Sequence, residues 1–210
     1  MNKIISQIRK CNDAQELLCG SLEIKKQLID IGVASNLTDP VGNYAEYLVL
    51  QAFGGEKTGN GTAGCDLIDR NGRKIEVKGR VKKHSTYKPK TYINDSNVSN
   101  KKFDYLVYIV FDNDFNIEYA FGVTNNNFKK LADYVEHKNS PPKWKIKVKE
   151  EILKDKRIDD LTQKIYISCL GIQIPFGLEI MDLGGPITKI LITTLLLSIP
   201  IPHWAEVKLA

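Results

Sequence analysis

The sequence predicts a mixed α/β fold, in which a mixed central β-sheet is flanked by helices. Residues 2–31 and 40–53 carry apolar side chains at helical spacing. Four short segments rich in apolar and β-branched residues follow between residues 65 and 123, and polar or turn-forming residues separate them. Another segment of helical pattern comes next. The order helix, strand, strand, strand, strand, helix is typical of a mixed α/β core.

The bulk composition is that of one soluble globular domain. The chain has 210 residues, of which 42 % are hydrophobic and 26 % are charged. This balance is ordinary for a protein that buries a real core. We divide the chain into an N-terminal helical element (1–38), a core (39–137) and a C-terminal extension (138–210) whose role the pattern leaves open.

Cysteine and targeting patterns indicate a cytoplasmic protein. The four cysteines are scattered without a CxxC pair, and the three histidines show no zinc-ligand spacing. Reduced thiols are therefore expected, rather than disulfides or a zinc site. The N-terminus lacks the apolar core of a signal peptide. The most apolar run, Ile190–Pro202, is shorter than the ~20 residues of a membrane helix, so we expect a buried strand or helix there and no membrane partner.

Two helical regions precede the first strand. Residues 2–31 balance acidic and basic residues, and we expect them to form a packing or dimer element. In the second region Asp39 is the expected N-cap, Pro40 lies in the first turn and Gly54–Gly55 is the stop signal. The apolar stripe of this helix consists of Val41, Ala45, Leu48, Val49 and Ala52. Glu46 lies at the edge of the stripe.

A hairpin and two longer strands are expected to build the sheet. Asn71–Gly72 between two short apolar segments is a strong hairpin signal. The near-continuous apolar run Phe103–Asp112 is typical of a central buried strand, with Ile117–Val123 as its antiparallel partner. The other expectations are a polar basic loop up to about Lys102, a helix over residues 126–137 and a strand with an exposed lysine face at Lys143–Glu150.

The register of the hairpin decides which side chains meet. Successive side chains of a strand point to opposite faces, so Glu76 and Lys78 share a face. A two-residue loop would pair Leu67 with Glu76 and leave Asp66 on the other face. A three-residue loop over residues 70–72, with glycine in the left-handed position, sets Asp66 opposite Glu76. We predict this second register, or a bulge with the same effect.

Three carboxylates and a lysine are the candidates for chemistry: Glu46, Asp66 and Glu76, with Lys78 beside Glu76. Mg²⁺ takes oxygen ligands, commonly one or two carboxylates with water and substrate phosphate. A nearby lysine orients or deprotonates the attacking water and offsets charge on the phosphate. The pattern therefore favours a metal-dependent site that cleaves phosphodiesters. A solvated strand face, a strand edge or a helix surface stays open as an ordinary role, and Asp69 is expected to be solvated.

This stretch resembles a known family. The segments GCDLID and KIEVKGR supply Asp66, a nine-residue gap and then Glu76-Val77-Lys78, which is similar to the Asp…Glu-x-Lys signature of the PD-(D/E)xK nuclease superfamily. The upstream segment GNYAEYLVLQAFGGEKTGNGTAGCDL is similar to that superfamily's helix with an additional acidic residue, here Glu46. The segment FDYLVYIVFD resembles its third core strand. The likeness covers roughly residues 40–125, with Cys65 where many members carry proline.

The resemblance implies a restriction-endonuclease-like nuclease core over residues 39–137. It implies catalytic roles for Asp66, Glu76, Lys78 and Glu46. It also implies a Mg²⁺ site that is held by Asp66, Glu76, Val77 and Glu46.

The charge distribution indicates a polyanionic partner. The net charge is +5 at pH 7, and between Arg73 and Lys90 the basic residues stand against Glu76 alone. Lysine and arginine neutralise phosphates, and asparagine pairs well with adenine. The candidate DNA-binding residues are Arg80, Lys82, Lys83, His84, Lys88, Lys90, Asn125 and Asn126. A solvated loop with a basic bias is the alternative.

Together these observations favour a Mg²⁺-dependent, sequence-specific double-stranded DNA endonuclease of the Type II restriction kind, acting as a homodimer in a bacterial or archaeal cytoplasm. Two alternatives stay open: a structure-selective repair nuclease or junction resolvase of the same fold, and a non-catalytic nucleic-acid-binding module. Sequence dependence of cleavage would distinguish the restriction enzyme from the repair nuclease or resolvase. Mg²⁺-independent binding without cleavage would indicate the binding module. A small-molecule enzyme is disfavoured, because no Gly-rich phosphate loop, Ser-His-Asp arrangement or nucleotide fingerprint is present.

Overall fold

A computed structural model describes residues 3–59, 64–82, 90–138, 140–148 and 150–169 of the chain. The helices within them are α1 (Lys3–Lys10), α2 (Ala14–Asp30), α3 (Pro40–Phe53), α4 (Asp95–Ser99), α5 (Asn125–Leu131) and α6 (Thr162–Cys169). The strands are β1 (Glu56–Lys57), β2 (Leu67–Ile68), β3 (Lys74–Val81), β4 (Lys90–Asn94), β5 (Tyr105–Phe111), β6 (Ile117–Thr124), β7 (Asp133–His137), β8 (Ser140–Lys147) and β9 (Asp159–Asp160). A 3-10 helix covers Glu150–Lys154.

The larger sheet is mixed and has β3 and β5 at its centre. Its strand order is β1-β2-β3-β5-β6-β9, with β3 parallel to β5 and antiparallel pairing elsewhere. Helix α3 packs on β3, and α6 packs on both α3 and β6. The prediction of a mixed α/β fold with a mixed central sheet flanked by helices is confirmed in the described residues.

Strand β5 separates two hydrophobic clusters, because its side chains alternate between the two faces of the sheet. All seven of its residues are buried, as a near-continuous apolar run predicts. Val107 and Ile109 face the cluster that contains α3, whereas Leu106 and Val110 belong to the cluster on the opposite face. Full burial of such a side chain contributes roughly 1.5–3 kcal/mol relative to exposure. The predicted central strand and its antiparallel partner β6 are both confirmed.

Helix α3 begins and ends at the residues that its sequence signals indicate. The Asp39 carboxylate accepts a hydrogen bond of 2.9 Å from the Gly42 N–H, and Pro40 is the first helical residue. Gly54 is the C-cap, and its N–H donates to the Leu50 carbonyl. The predicted apolar stripe faces the sheet, where Ala45, Leu48 and Val49 are buried while Val41 and Ala52 are partly buried.

The hairpin between β2 and β3 has the predicted three-residue register. The Asp69 N–H donates to the Arg73 carbonyl at 3.0 Å, and Gly72 has a φ of 76°. Only glycine adopts this left-handed conformation without steric penalty. The expectation that Asp69 is solvated is wrong. Its buried carboxylate accepts hydrogen bonds from the Asn71 and Arg73 N–H groups, each at 2.9 Å, and from Arg73 Nε at 3.0 Å.

A second sheet of three strands, in the order β4-β8-β7, lies outside the sequence prediction. The segment up to Lys102, predicted as a loop, contains β4 and α4, because Thr91 and Ile93 of β4 are buried against a partner strand far along the chain. The predicted helix over residues 126–137 is half wrong. Helix α5 gives way to β7, which pairs with β8. Strand β8 overlaps the strand predicted at Lys143–Glu150. Pairing with β8 stabilises β4 and β7 as strands, although their local sequence patterns do not indicate strands.

Residues beyond 137 contribute to both sheets. Strand β8 pairs with β7 across the expected division at residue 138. Strand β9 extends the larger sheet at β6, and Leu161 and Ile165 complete the cluster beneath α3. The part of the C-terminal extension up to Cys169 therefore belongs to the core of the fold. The expected buried element at Ile190–Pro202 lies outside the described residues.

The N-terminal helical region forms α1 and α2, as predicted. Asp13 caps α2 by accepting a hydrogen bond from the Glu16 N–H at 2.8 Å. Neither helix buries any of its described residues. The exposed apolar side chains are Ile4, Ile5, Ile8, Leu17, Leu18, Leu22 and Ile24. None of the helices in the described ranges has the length and apolar character needed to cross a membrane.

Candidate active site

The candidate site lies where β2 leaves β3. Strand β2 pairs with Lys74 and Ile75 of β3. Just before β2 begins, the Asp66 N–H donates to the Ile75 carbonyl at 2.9 Å. The Asp66 carboxylate then accepts a hydrogen bond of 2.7 Å from the Val77 N–H through Oδ2. Asp66 is thereby held against the part of β3 that carries the Glu-x-Lys motif.

Glu76 and Lys78 are neighbours on the face of β3 opposite α3. Lys78 Nζ lies 2.5 Å from Glu76 Oε1 and 3.0 Å from the Val77 carbonyl oxygen. Glu76 is only 6 % exposed. Its second oxygen, Oε2, is buried and has no hydrogen-bond partner among the described residues. Since buried carboxylate oxygens are normally paired, this one has free capacity to accept a ligand.

Glu46, on α3, contacts a lysine of the short first strand. Its Oε2 lies 3.6 Å from Nζ of Lys57 on β1, and the two side chains are 25 % and 24 % exposed. Sequence reasoning missed Lys57, because β1 has two residues and shows no periodic pattern. Its position follows from the pairing of β1 with β2, in which Lys57 stands opposite Leu67.

The charges of the site act on one another. Burial raises the pKa of Glu46, the Asp66 charge raises it further, and Lys57 and Lys78 act in the opposite direction. Burial likewise raises the pKa of Glu76, with Lys78 lowering it and Asp66 raising it. Such mutual effects operate over short distances. The structure therefore joins Asp66, Glu76 and Lys78 by contacts on β3. Glu46 is linked to them through the charges of Asp66 and Lys78, and its direct contact is with Lys57.

Glycine at position 79 allows α3 to come this close to β3. A Cβ atom at Gly79 would lie 2.8 Å from Ala45 Cβ and 2.9 Å from the Val41 carbonyl oxygen. Both distances are shorter than packed atoms tolerate. Ala45 immediately precedes Glu46, so the glycine that follows Lys78 sets the approach of the helix that carries the third carboxylate.

The residues fit a divalent cation that is coordinated by oxygen. The free Glu76 Oε2, the Asp66 carboxylate and the Val77 carbonyl share one edge of β3, and Glu46 adds a further carboxylate. Within the described residues, no group of three or more histidine, cysteine, aspartate or glutamate side chains is placed so that it could hold a metal ion, so a cation here would depend on other oxygen ligands as well. Mg²⁺ would complete its shell with water and phosphate, as it commonly does in phosphoryl-transfer sites.

The predicted basic contacts surround the motif unevenly. Arg80 is partly buried, and one of its guanidinium nitrogens lies 3.5 Å from Thr91 Oγ1 of β4. Lys82 is paired with Glu118 across the sheet. Lys90 is exposed at the start of β4. The other predicted basic residues, Lys83, His84 and Lys88, lie outside the described residues.

The two predicted asparagines are in different environments at the start of α5. Asn126 is exposed. Asn125 is only 5 % exposed, and its amide nitrogen and oxygen have no hydrogen-bond partner within the described ranges. Its main-chain N–H donates to the Asp104 carbonyl at 2.9 Å. This placement suits Asn126 for an external contact better than Asn125.

No protein-family model matches the chain, and no curated protein matches it. Functional interpretation therefore depends on the motif residues and on the geometry that brings them together.

Proposed function

We propose that the protein is a Mg²⁺-dependent endonuclease that hydrolyses phosphodiester bonds of double-stranded DNA, in the manner of the PD-(D/E)xK superfamily. One observation carries the proposal. Asp66 is hydrogen-bonded to the main chain within the Glu-x-Lys motif and Glu76 is paired with Lys78, while Glu46 on α3 lies within electrostatic reach of Asp66 and Lys78. An ordinary solvated strand face would not leave Glu76 buried with an unpaired oxygen.

Each group has a chemical role in the proposed reaction. Asp66, Glu76, Glu46 and the Val77 carbonyl would hold the ion, which supplies Lewis acidity to the phosphate and its attacking water. Lys78 touches both the Glu76 carboxylate and the Val77 carbonyl. Its ammonium would orient the attacking water and offset the negative charge that develops on the phosphate.

Sequence-specific cleavage and a homodimer belong to the same proposal. The basic side chains Arg80 and Lys90 flank the motif, and Asn126 offers an exposed amide. A two-fold symmetric protein would present one active site to each strand of a palindromic site. The exposed apolar side chains of α1 and α2 suit such an assembly. Sedimentation should then give twice the mass of one chain. A monomer that cuts both strands would contradict the homodimer but not the nuclease activity.

The direct test is cleavage of plasmid and phage DNA by the purified protein, with Mg²⁺ or with EDTA. A Glu76→Ala variant tests the site, and Glu151→Ala is the control, because Glu151 is an exposed acid of the 3-10 helix. We expect discrete bands that require Mg²⁺ and disappear in Glu76→Ala only. A smear, or cutting of four-way junctions alone, would favour a structure-selective nuclease. DNA retardation without any cleavage would favour a non-catalytic binding module.

A further inference from the structure

Lys57 is a second lysine at the carboxylate cluster. Its ammonium lies 3.6 Å from Glu46 Oε2, whereas Lys78 approaches Glu76 to 2.5 Å. The Lys57 contact is therefore the looser of the two. Both of its partners are about a quarter exposed, at 24 % and 25 %, so water and small ions can reach them.

The main chain beside Lys57 is anchored to the site. The Thr58 N–H donates to the Asp66 carbonyl at 3.0 Å, and the Thr58 hydroxyl donates to the Cys65 carbonyl at 2.5 Å. Lys57 itself pairs with Leu67 in the sheet. The main chain around Lys57 is therefore tied to Asp66, and the Lys57 side chain is the part that can change its partner.

The net charge of the cluster changes sign when a divalent cation enters. By formal charge, Glu46, Asp66 and Glu76 outnumber Lys57 and Lys78 by one, so the empty cluster is negative. A doubly charged ion would leave it positive and matched to a phosphate diester. A cation that takes Glu46 would also remove the partner of Lys57, and a lysine ammonium is a good point-charge ligand for phosphate.

We infer that Lys57 is a phosphate-binding residue of the proposed nuclease, held by Glu46 until a divalent cation takes that carboxylate. The ammonium then contacts a phosphate of the DNA at the cleavage site. This inference rests on the proposed function and extends it to a residue outside the sequence motif. An ordinary exposed ion pair would contribute little to stability and nothing to catalysis.

The test compares Lys57→Met and Lys57→Arg with the wild type. Lys154→Met is the control, because Lys154 is an exposed lysine at the end of the 3-10 helix and belongs to neither the proposed site nor the proposed dimer surface. Binding of Mn²⁺ is measured by calorimetry without DNA, and the steady-state rate of cleavage is measured over a range of DNA concentrations. Thermal melting of each variant establishes that it is folded.

Two expectations follow for Lys57→Met. Mn²⁺ should bind at least as tightly as in the wild type, because a competitor for Glu46 is gone. The ratio kcat/KM for DNA should fall at least about tenfold, because a charged contact with the phosphate is lost. Lys57→Arg should recover most of that loss, and Lys154→Met should behave as the wild type.

Two results would overturn the inference, and they differ from failure of the function itself. Weaker Mn²⁺ binding in Lys57→Met would make Lys57 a support for Glu46 rather than a phosphate ligand. Unchanged cleavage in the same variant would remove it from the reaction while leaving the nuclease intact. A wild type that neither binds Mn²⁺ nor cuts DNA would refute the proposed function together with the role of Lys57.

Discussion

The Asp66 carboxylate accepts a 2.7 Å hydrogen bond from the main-chain N–H of Val77, the middle residue of the Glu-x-Lys motif. This single contact links the loop before β2 to the strand that carries Glu76 and Lys78. It gives Asp66 two separable properties. The oxygen satisfies a backbone donor at the edge of β3, and the charge contributes to the carboxylate cluster.

Substitution at Asp66 should separate these two properties. Asp66→Asn keeps an oxygen that can accept from the Val77 N–H but removes the charge, so we expect stability close to that of the wild type and loss of Mn²⁺ binding. Asp66→Ala also removes the acceptor and should lower the free energy of unfolding by about 1–3 kcal/mol. Urea unfolding and calorimetry measure the two effects. Strong Mn²⁺ binding by Asp66→Asn would exclude Asp66 as a metal ligand.

Glu76 should make the stability of the metal-free protein depend on pH. Burial raises the pKa of its carboxyl in the folded chain above the ordinary value. The folded state then holds the proton more tightly than the unfolded chain. The free energy of unfolding therefore falls as pH rises from the unfolded pKa, about 4.3, through the raised pKa of the folded state. The loss persists at neutral pH.

The neutral isostere Glu76→Gln has no proton to lose at this position. In EDTA at pH 7 it should melt at a higher temperature than the wild type, and the difference should shrink as pH is lowered to about 4. The same variant should not cleave DNA. Melting curves at a series of pH values measure the first effect. A variant that melts lower than the wild type at pH 7 would mean that pairing with Lys78 outweighs burial.

Gly79→Ala tests the close approach of α3 to β3. The new Cβ would meet Ala45 Cβ at 2.8 Å and the Val41 carbonyl at 2.9 Å, so the helix must shift. Overpacking of this kind lowers stability by about 1–3 kcal/mol. Because the shift also moves Glu46, we expect a loss of cleavage beyond what the loss of folded protein explains.

Gly20→Ala is the control for this substitution. Gly20 lies inside α2, and a Cβ there would have no atom within 4 Å. Alanine in place of glycine within a helix should stabilise the protein by up to about 1 kcal/mol. Equal effects of the two substitutions on stability and on cleavage would argue against the tight contact at Gly79.

The Asp69 carboxylate maintains the turn that sets the hairpin register. It is buried and accepts hydrogen bonds from the Asn71 N–H, the Arg73 N–H and Arg73 Nε. Arg73 in turn lies with its guanidinium 4.2 Å from the centre of the Tyr105 ring. Asp69→Ala leaves these donors unpaired and should lower the free energy of unfolding by about 2–3 kcal/mol.

The Asp69→Ala substitution should also loosen the register and so weaken the cluster. Chemical denaturation gives the stability, and Mn²⁺ titration at a temperature where the variant is folded gives the second effect. An exposed acid at another turn, Asp114, is the control and should change neither quantity by more than about 0.5 kcal/mol. If Asp69→Ala behaved like Asp114→Ala, the turn would not depend on the carboxylate.

The sequence alone determined the parts of the protein whose causes are local. Asp39, Pro40 and Gly54 mark the ends of α3 because they satisfy or terminate the helical hydrogen-bond ladder within a few residues. The three-residue turn determines the hairpin register, because Gly72 takes the left-handed position and the Asp69 carboxylate accepts hydrogen bonds from the main chain of the turn. The near-continuous apolar run of β5 predicts its burial, because a strand that is buried on both faces carries apolar residues at successive positions.

Only the tertiary structure decided which distant segments meet. The pairing of β4 and β7 with β8 turns an expected loop and half of an expected helix into strands. Packing of α5 buries Asn125 beside the exposed Asn126. Pairing of β1 with β2 brings Lys57 to Glu46, which lies on a different element. These contacts depend on partners remote in the chain, and their stability comes from buried area and strand pairing, which a local residue pattern does not encode.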